Sequence, residues 1–276
     1  MDLRAILHLE SHGPDTYVGA GPQYPWGGLY GGQIVAQALR AAAATIDDPD
    51  LAVHSLRSYF IRRGDHNEPV RYEVDRLRNG RSFCTRRIVA RQAVGAILNL
   101  ECSFQRAEES ADVETISLPA GIPAPEDLPT TGWSPVFERA FVPHASIGGA
   151  ARDGAGRATA WLRAVEDLGE DPLLQAAALA YLSDDLPTDA VIRAHPMGRE
   201  PEDLIYKVAF SASLDHTIWF HRPMRADRWH LHDFTCHTFV GGRGLSVGHV
   251  FAQDGTHAAT IAQEVLLRDQ RQRQPG

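Results

Sequence analysis

Residues 211–223, SASLDHTIWFHRP, place Ser213, Asp215, His216 and Thr217 beside Trp219 and Phe220 in a stretch that otherwise reads as a buried strand. Hydrogen-bonding groups in an apolar setting must be satisfied or used. Comparing the chain with itself sorts them. SYFIRRGD at 58–65 aligns with IWFHRPMR at 218–225, Leu39 aligns with Leu179, and the last strand of each half aligns with Cys102 opposite Gln263. A repeat on this scale signals a duplicated unit whose copies pack together. Ala44 then corresponds to Asp184, Val53 to Ser213 and Cys102 to Gln263, so three core-like positions are polar in one copy only. An unpaired buried carboxylate is costly, so it should be paired or functional. Asp184, Ser213 and Gln263 are therefore the candidate catalytic set. A mutually bonded Asp, Ser and Gln would satisfy one another's hydrogen-bonding groups.

The remaining polar residues carry weaker signals. His216 follows Asp215, but neighbours in a strand point to opposite faces, so Asp215 cannot orient His216 in a Ser-His-Asp triad. His216 and His54 read as structural histidines hydrogen-bonded in the core. His8 and His12 stand four apart but Gly13-Pro14 follows, and His230 and His232 share one strand face without a third partner. No Cys/His ligand spacing exists and no metal is expected. Cys84, Cys102 and Cys236 form no CxxC pair, and their odd number argues against a disulfide framework. Gly27-Gly28 and Gly31-Gly32 fit neither a dinucleotide nor a P-loop spacing. Gly31 and Gly32 do open a helix, where backbone N–H groups can take up a developing oxyanion, and they are the oxyanion candidates. Arg62, Arg63, Arg81, Arg86 and Arg87 are candidates for phosphate contacts, and the sequence does not choose among them. No cofactor is implied.

The elements that must position these residues follow from periodicity. Gly32 to Thr45 is a helix with small or apolar residues nearly all round, and 171–183, DPLLQAAALAYLS, is a second Ala-rich helix with Pro at its start. A short helix fits 3–9. Strands are expected over 53–61, 70–74, 82–91, 96–104, 135–142, 157–165, 209–220, 229–239, 244–253 and 256–268. Asn79-Gly80 and Asp254-Gly255 are hairpin signals. The order of helix followed by antiparallel strands, occurring twice, makes the fold α+β. Residues 111–133, acidic and then Pro-rich, read as a linker between an N-terminal unit at 1–110 and a C-terminal unit at 134–276 that carries the catalytic set. The 276 residues are 43% hydrophobic with net charge −8, ample for one large core or two and unlike a general nucleic-acid binder. Lys207 is the only lysine. No signal-like N-terminus and no apolar run of about 18 residues is present, so a cytoplasmic protein without a membrane span is expected.

YGGQIVAQAL, VHSLRSYFIRRGD, RNGRSFCTRR, AYLSD, LDHTIWFHRP and QDGTHAATIAQE, spread over nearly the whole chain, resemble the acyl-CoA thioesterase II (TesB-like) family. The resemblance implies a double hotdog, each repeat a long buried helix wrapped by an antiparallel sheet. It also implies an acyl-CoA substrate, hydrolysed to free acid and CoA. By motif the family's Asp, Thr and Gln fall on Asp184, Ser213 and Gln263. Ser213 departs from the family's Thr; the hydroxyl is kept and the methyl that stiffens its rotamer is lost. Asp185-Leu186-Pro187, directly after Asp184, is a second departure, shortened at the pocket mouth. Two alternatives share the fold: a non-catalytic acyl-CoA-binding protein, and an enoyl-CoA hydratase-like enzyme, for which an Asp–His pair at a helix start is missing. Hotdogs expose sheet edges or faces that pair, so a homo-oligomer, dimer or tetramer, is expected.

Overall fold

The computed structural model describes residues 1–147 and 156–272. The two Ala-rich runs form the central helices, α2 (Gly31–Ala43) and α3 (Pro172–Leu182). Asp171 starts α3, its carboxylate accepting from Leu173 N at 2.9 Å and Leu174 N at 3.3 Å, with Pro172 at the first helical position. Alanine supplies helix propensity and lets helix and sheet approach closely. Eight of α3's eleven residues are buried, and α2 is buried from Gly32 to Leu39 and again at Ala41 and Ala42.

Among the described residues, thirteen strands wrap the helices as one continuous antiparallel sheet. The first half contributes β1 (Glu10–Ser11), β2 (Thr16–Gly19), β3 (Leu51–Phe60), β4 (Val70–Asn79), β5 (Phe83–Gln92) and β6 (Gly95–Arg106). The second half contributes β7 (Phe137–Phe141), β8 (Arg157–Ala164), β9 (Ala209–Ser213), β10 (Asp215–Phe220), β11 (His230–Val240), β12 (Arg243–Ala252) and β13 (His257–Asp269). The order is β1-β2-β4-β5-β6-β3-β10-β13-β12-β11-β8-β7, with β9 also paired to β13. The halves meet where β3 pairs antiparallel with β10, Leu56 opposite Ile218 and Ser58 opposite His216. Two long helices held in one curved antiparallel sheet make this a double hotdog.

The repeat is visible bond by bond. Val53 pairs with Phe104 before a one-residue bulge at His54, and Ser213 pairs with Val265 before the corresponding break at Leu214. Ile61 N donates to Ile97 O at 2.9 Å where His221 N donates to Ala258 O at 2.8 Å. The Arg62 side chain reaches Ala96 O at 2.8 Å where that of Arg222 reaches His257 O at 2.9 Å. Each helix closes with an i→i−3 bond, Thr45 N to Ala42 O and Asp185 N to Leu182 O. These matches fix Ala44 to Asp184, Val53 to Ser213 and Cys102 to Gln263, and they exclude a one-residue slip.

Some elements differ from the sequence expectation. The strand expected over 209–220 is two, β9 and β10. The short β1 and β2, and the helices α4 (Pro187–Ala194) and α5 (Glu202–Val208), were not expected. Arg86 leaves the phosphate candidates: it is 1% exposed, and its guanidinium donates to Thr45 Oγ1, Thr45 O, Arg78 O and Thr85 O. Alternation places it inward, because Cys84, Arg86, Ile88 and Ala90 share one face of β5. Arg87 pairs with Asp75, while Arg62 and Arg63 hold backbone carbonyls. His54 packs edge-on against Phe83, and its buried Nε2 lacks the expected hydrogen bond. The three cysteines are unpaired, Cys84 and Cys102 buried. Among the described residues no helix is long and apolar enough to cross a membrane. The expected C-terminal limit at residue 276 lies outside the described residues.

Candidate active site

Asp184 sits one residue beyond Ser183, the C-cap of α3, and faces the start of α2. Gly32 N, in the first turn of α2, donates to Asp184 Oδ2 at 2.9 Å. A carboxylate at this end of a helix is favoured by the unpaired N–H groups and the positive dipole end. Ser213 ends β9 and donates to Asp184 Oδ1 at 3.2 Å, and Gln263 Nε2, from the middle of β13, donates to Ser213 Oγ at 2.7 Å. The three residues singled out by comparing the copies therefore come together. The break at Leu214 separates Ser213 from the regular alternation of β10 and leaves it pointing inward.

The two glycines allow this approach. A Cβ on Gly31 would lie 2.5 Å from Asp184 Oδ2 and 2.9 Å from Phe60 Cζ, and one on Gly32 would collide with Tyr181 O. Gly32 N–H is directed at the carboxylate, while Gly31 opens the helix with its N–H outside the helix's own ladder. Gly31→Ala is expected to push the Asp184 carboxylate aside and lower kcat about 100-fold, with the protein still folded by circular dichroism. Unaltered kcat would mean that Asp184 need not sit where it does.

Burial raises the Asp184 pKa to about 7, outweighing the lowering by bonds from Gln263, Ser213 and Gly32; the Asp185 charge adds to the rise. A base must be ionised to accept a proton. Activity carried by Asp184 is thus full only above about pH 8 and falls on the acid side, approaching tenfold per pH unit below about 6. A kcat/KM profile flat from pH 8 down to about 5 would remove Asp184 as the base.

Two further groups adjoin this set. Asp185, beside the catalytic candidate, accepts from Trp133 Nε1 at 2.7 Å and from Arg139 Nη1 at 2.9 Å. This ties the segment before β7 to the end of α3. Trp133 continues into an aromatic wall with Tyr24, Trp26 and Tyr30, and Tyr30 packs on Tyr181 with ring centroids 5.0 Å apart. The second group is His216. It is a buried, hydrogen-bonded histidine as expected, but its partners are Gln263 Oε1 at Nδ1 and Ser183 Oγ, 2.8 Å from Nε2. Burial lowers its pKa to about 4, so it is neutral at physiological pH. Asp215 points the other way and accepts from Glu264 N at 2.7 Å.

His230 and His232 lie with ring centroids 4.9 Å apart and planes tilted by 49°, both buried, and burial depresses both pKa values. Among the described residues no group of three or more His, Cys, Asp or Glu side chains could hold a metal ion.

The double hotdog and the relatives it matches make the chain a thioester hydrolase of the hotdog class. The chain belongs to the TesB-like acyl-CoA thioesterase II family. Residues 21–105 match its "Acyl-CoA thioesterase N-terminal domain" and residues 112–267 its "Acyl-CoA thioesterase C-terminal domain". It is 34% identical to mouse acyl-coenzyme A thioesterase 8 over 293 residues, covering 96% of this chain and 88% of the relative. It is 32% identical to acyl-CoA thioesterase 2 of Haemophilus influenzae, covering 95% and 96%. The crystal structure of the acyl-CoA thioesterase II TesB2 of Mycobacterium marinum superposes with a TM-score of 0.83 at 34% identity, over 99% of each chain.

Proposed function

We propose that Asp184, Ser213 and Gln263 hydrolyse acyl-CoA thioesters to a free carboxylic acid and CoA through an activated water. Asp184 takes a proton from water, and the hydroxide attacks the thioester carbonyl carbon. The carbonyl π electrons move to oxygen, giving a tetrahedral oxyanion. When it collapses, the C–S bond breaks, and CoA leaves as thiolate and recovers the proton from Asp184. Ser213 and Gln263 fix the water by hydrogen bonds. Gly31 N–H, at the positive end of α2, is the donor assigned to the oxyanion, while Gly32 N–H holds the base. No covalent nucleophile is needed.

The observation that carries this reading is the Asp184 carboxylate, buried yet held by the Gly32 N–H and the Ser213 hydroxyl, with a pKa near neutrality. A hydratase would need a histidine free to exchange protons with substrate, and both ring nitrogens of His216 are engaged within the protein. The reading takes 1–110 and 134–276 as the two hotdogs, joined by 111–133, in a cytoplasmic homo-oligomer. The test is thiol release from acyl-CoAs of increasing chain length, by the native protein and by Asp184→Asn. Release by the native protein alone supports the assignment. Saturable binding without release at any chain length would replace it with the non-catalytic alternative.

A further inference from the structure

The duplicated architecture offers an internal control for every residue near Asp184. By the correspondence fixed above, Ser183 matches Ala43 and His216 matches Leu56, alongside Asp184 with Ala44, Ser213 with Val53 and Gln263 with Cys102. All five positions are apolar or nearly so in the first copy, where the same fold forms without them. Leu56 and His216 are equally buried, at 1% and 0% exposure. The fold therefore does not require a histidine there. His216 and Ser183 accompany the catalytic candidates in the one copy that has them.

Proton counting gives them a task. Ser183 Oγ lies 2.8 Å from His216 Nε2 and 2.9 Å from Ala180 O, so its single proton serves one of two acceptors. The neutral imidazole also has one proton. If that proton sat on Nε2, the unprotonated Nδ1 would require the NH2 of Gln263, which would turn the Gln263 carbonyl toward Ser213. Ser213's one hydroxyl proton would then be claimed by both Gln263 and Asp184, and one acceptor would be left empty. With the proton on Nδ1 the four side-chain bonds that run to Asp184 are all satisfied, and the contact given up is the neutral one from Ser183 to Ala180 O rather than one to the amide or the carboxylate. Ser183 donates to Nε2, Nδ1–H donates to Gln263 Oε1, Gln263 Nε2 donates to Ser213 Oγ, and Ser213 donates to Asp184 Oδ1. An amide is nearly symmetric in shape, so the polarity of its partners decides which end faces which.

We propose that His216 is a positioning residue that fixes the orientation of the Gln263 amide, and that Ser183 fixes the tautomer of His216. This rests on the thioesterase reading of the site. Both ring nitrogens of His216 are taken by Ser183 and Gln263. It acts through Gln263, keeping the amide NH2 toward Ser213 and leaving the Ser213 proton for Asp184.

The test is a double-mutant cycle on acyl-CoA hydrolysis, read with kcat and KM separately. His216→Leu installs the residue that the first copy carries. It should lower kcat by about 10- to 100-fold with KM changed less than about threefold. His216→Asn, whose side-chain N–H can replace Nδ1–H, should return kcat to within about fivefold of the native enzyme. In the Gln263→Ala background, His216→Leu should cost less than about twofold, because the residue it acts through is gone. Additive losses in that background, or His216→Asn no better than His216→Leu, would overturn the proposal. Should His216→Leu not fold, Ser183→Ala carries the same cycle, with kcat lowered about tenfold when Gln263 is present and unchanged in the Gln263→Ala background. Asp184→Asn separates the two readings. Full turnover by that variant sinks the thioesterase mechanism, whereas its inactivity beside a flat His216 series sinks only the positioning role.

Discussion

Asp184→Asn is expected to lower kcat for acyl-CoA hydrolysis by about 1000-fold while leaving the protein as stable as before at pH 8, or more so. The two effects have one origin. The substituted amide cannot accept a proton from water at neutral pH, so the general-base step is lost. In the native protein the folded-state pKa of Asp184, about 7, lies above its ordinary value of 3.8. A carboxyl shifted this way favours the folded state below pH 4, where it is protonated in both states. That contribution is lost progressively as the pH rises through 7. Above pH 7 the folded protein holds a buried charge that the unfolded chain would hydrate, and the asparagine removes it. Thermal unfolding at pH 8 beside a thiol-release assay reads both arms. A variant equally inactive but strongly destabilised would mean that the carboxylate organises the fold rather than the reaction.

Asp185→Ala should be the most damaging single change to stability, at about 3–5 kcal/mol and a fall in Tm of roughly 10 °C. The Asp185 side chain is 1% exposed and that of Arg139 14%, and they are 2.9 Å apart. Water therefore screens the pair little, and removing the carboxylate strips a largely buried guanidinium of a charged partner. The same change frees Trp133 Nε1 and, with it, one panel of the aromatic wall before β7. KM is thus expected to rise together with the loss of stability. Asp185→Asn, which can still accept from Trp133, should lose about half as much. A Tm for Asp185→Ala within about 2 °C of the native protein would show that solvent reaches the pair after all.

The site was readable because duplication supplied a reference. Asp184, Ser213 and Gln263 stand out as polar only against Ala44, Val53 and Cys102, and the matched bulges at His54 and Leu214 confirm that alignment in space. The helices α2 and α3 were equally legible, since long Ala-rich runs have few alternatives. What escaped is instructive in physical terms. Gly32 was read as an oxyanion donor, but its N–H holds Asp184, because its orientation depends on how α2 meets α3. Arg86 looked like a surface residue by type, although its inward position followed from the alternation of β5. Asp185 read as an interruption after Asp184, because its partners Trp133 and Arg139 lie about 50 residues away. The split at Leu214 carries no turn residue to announce it.

The pseudo-symmetry around the β3–β10 junction also bears on how many reactions one chain can run. A symmetric duplication begins with two equivalent centres. Here the counterpart of Asp184 is Ala44, which cannot act as a base, and the counterpart of Gly32 is Pro172, which has no N–H to hold one. Base and donor are both missing from the second locus, so restoring a carboxylate at Ala44 alone would not revive it. The candidate site draws the Gly32 N–H from the first repeat and Asp184, Ser213 and Gln263 from the second. Active-site titration should accordingly count one site per chain, and neither repeat expressed alone should contain a whole one.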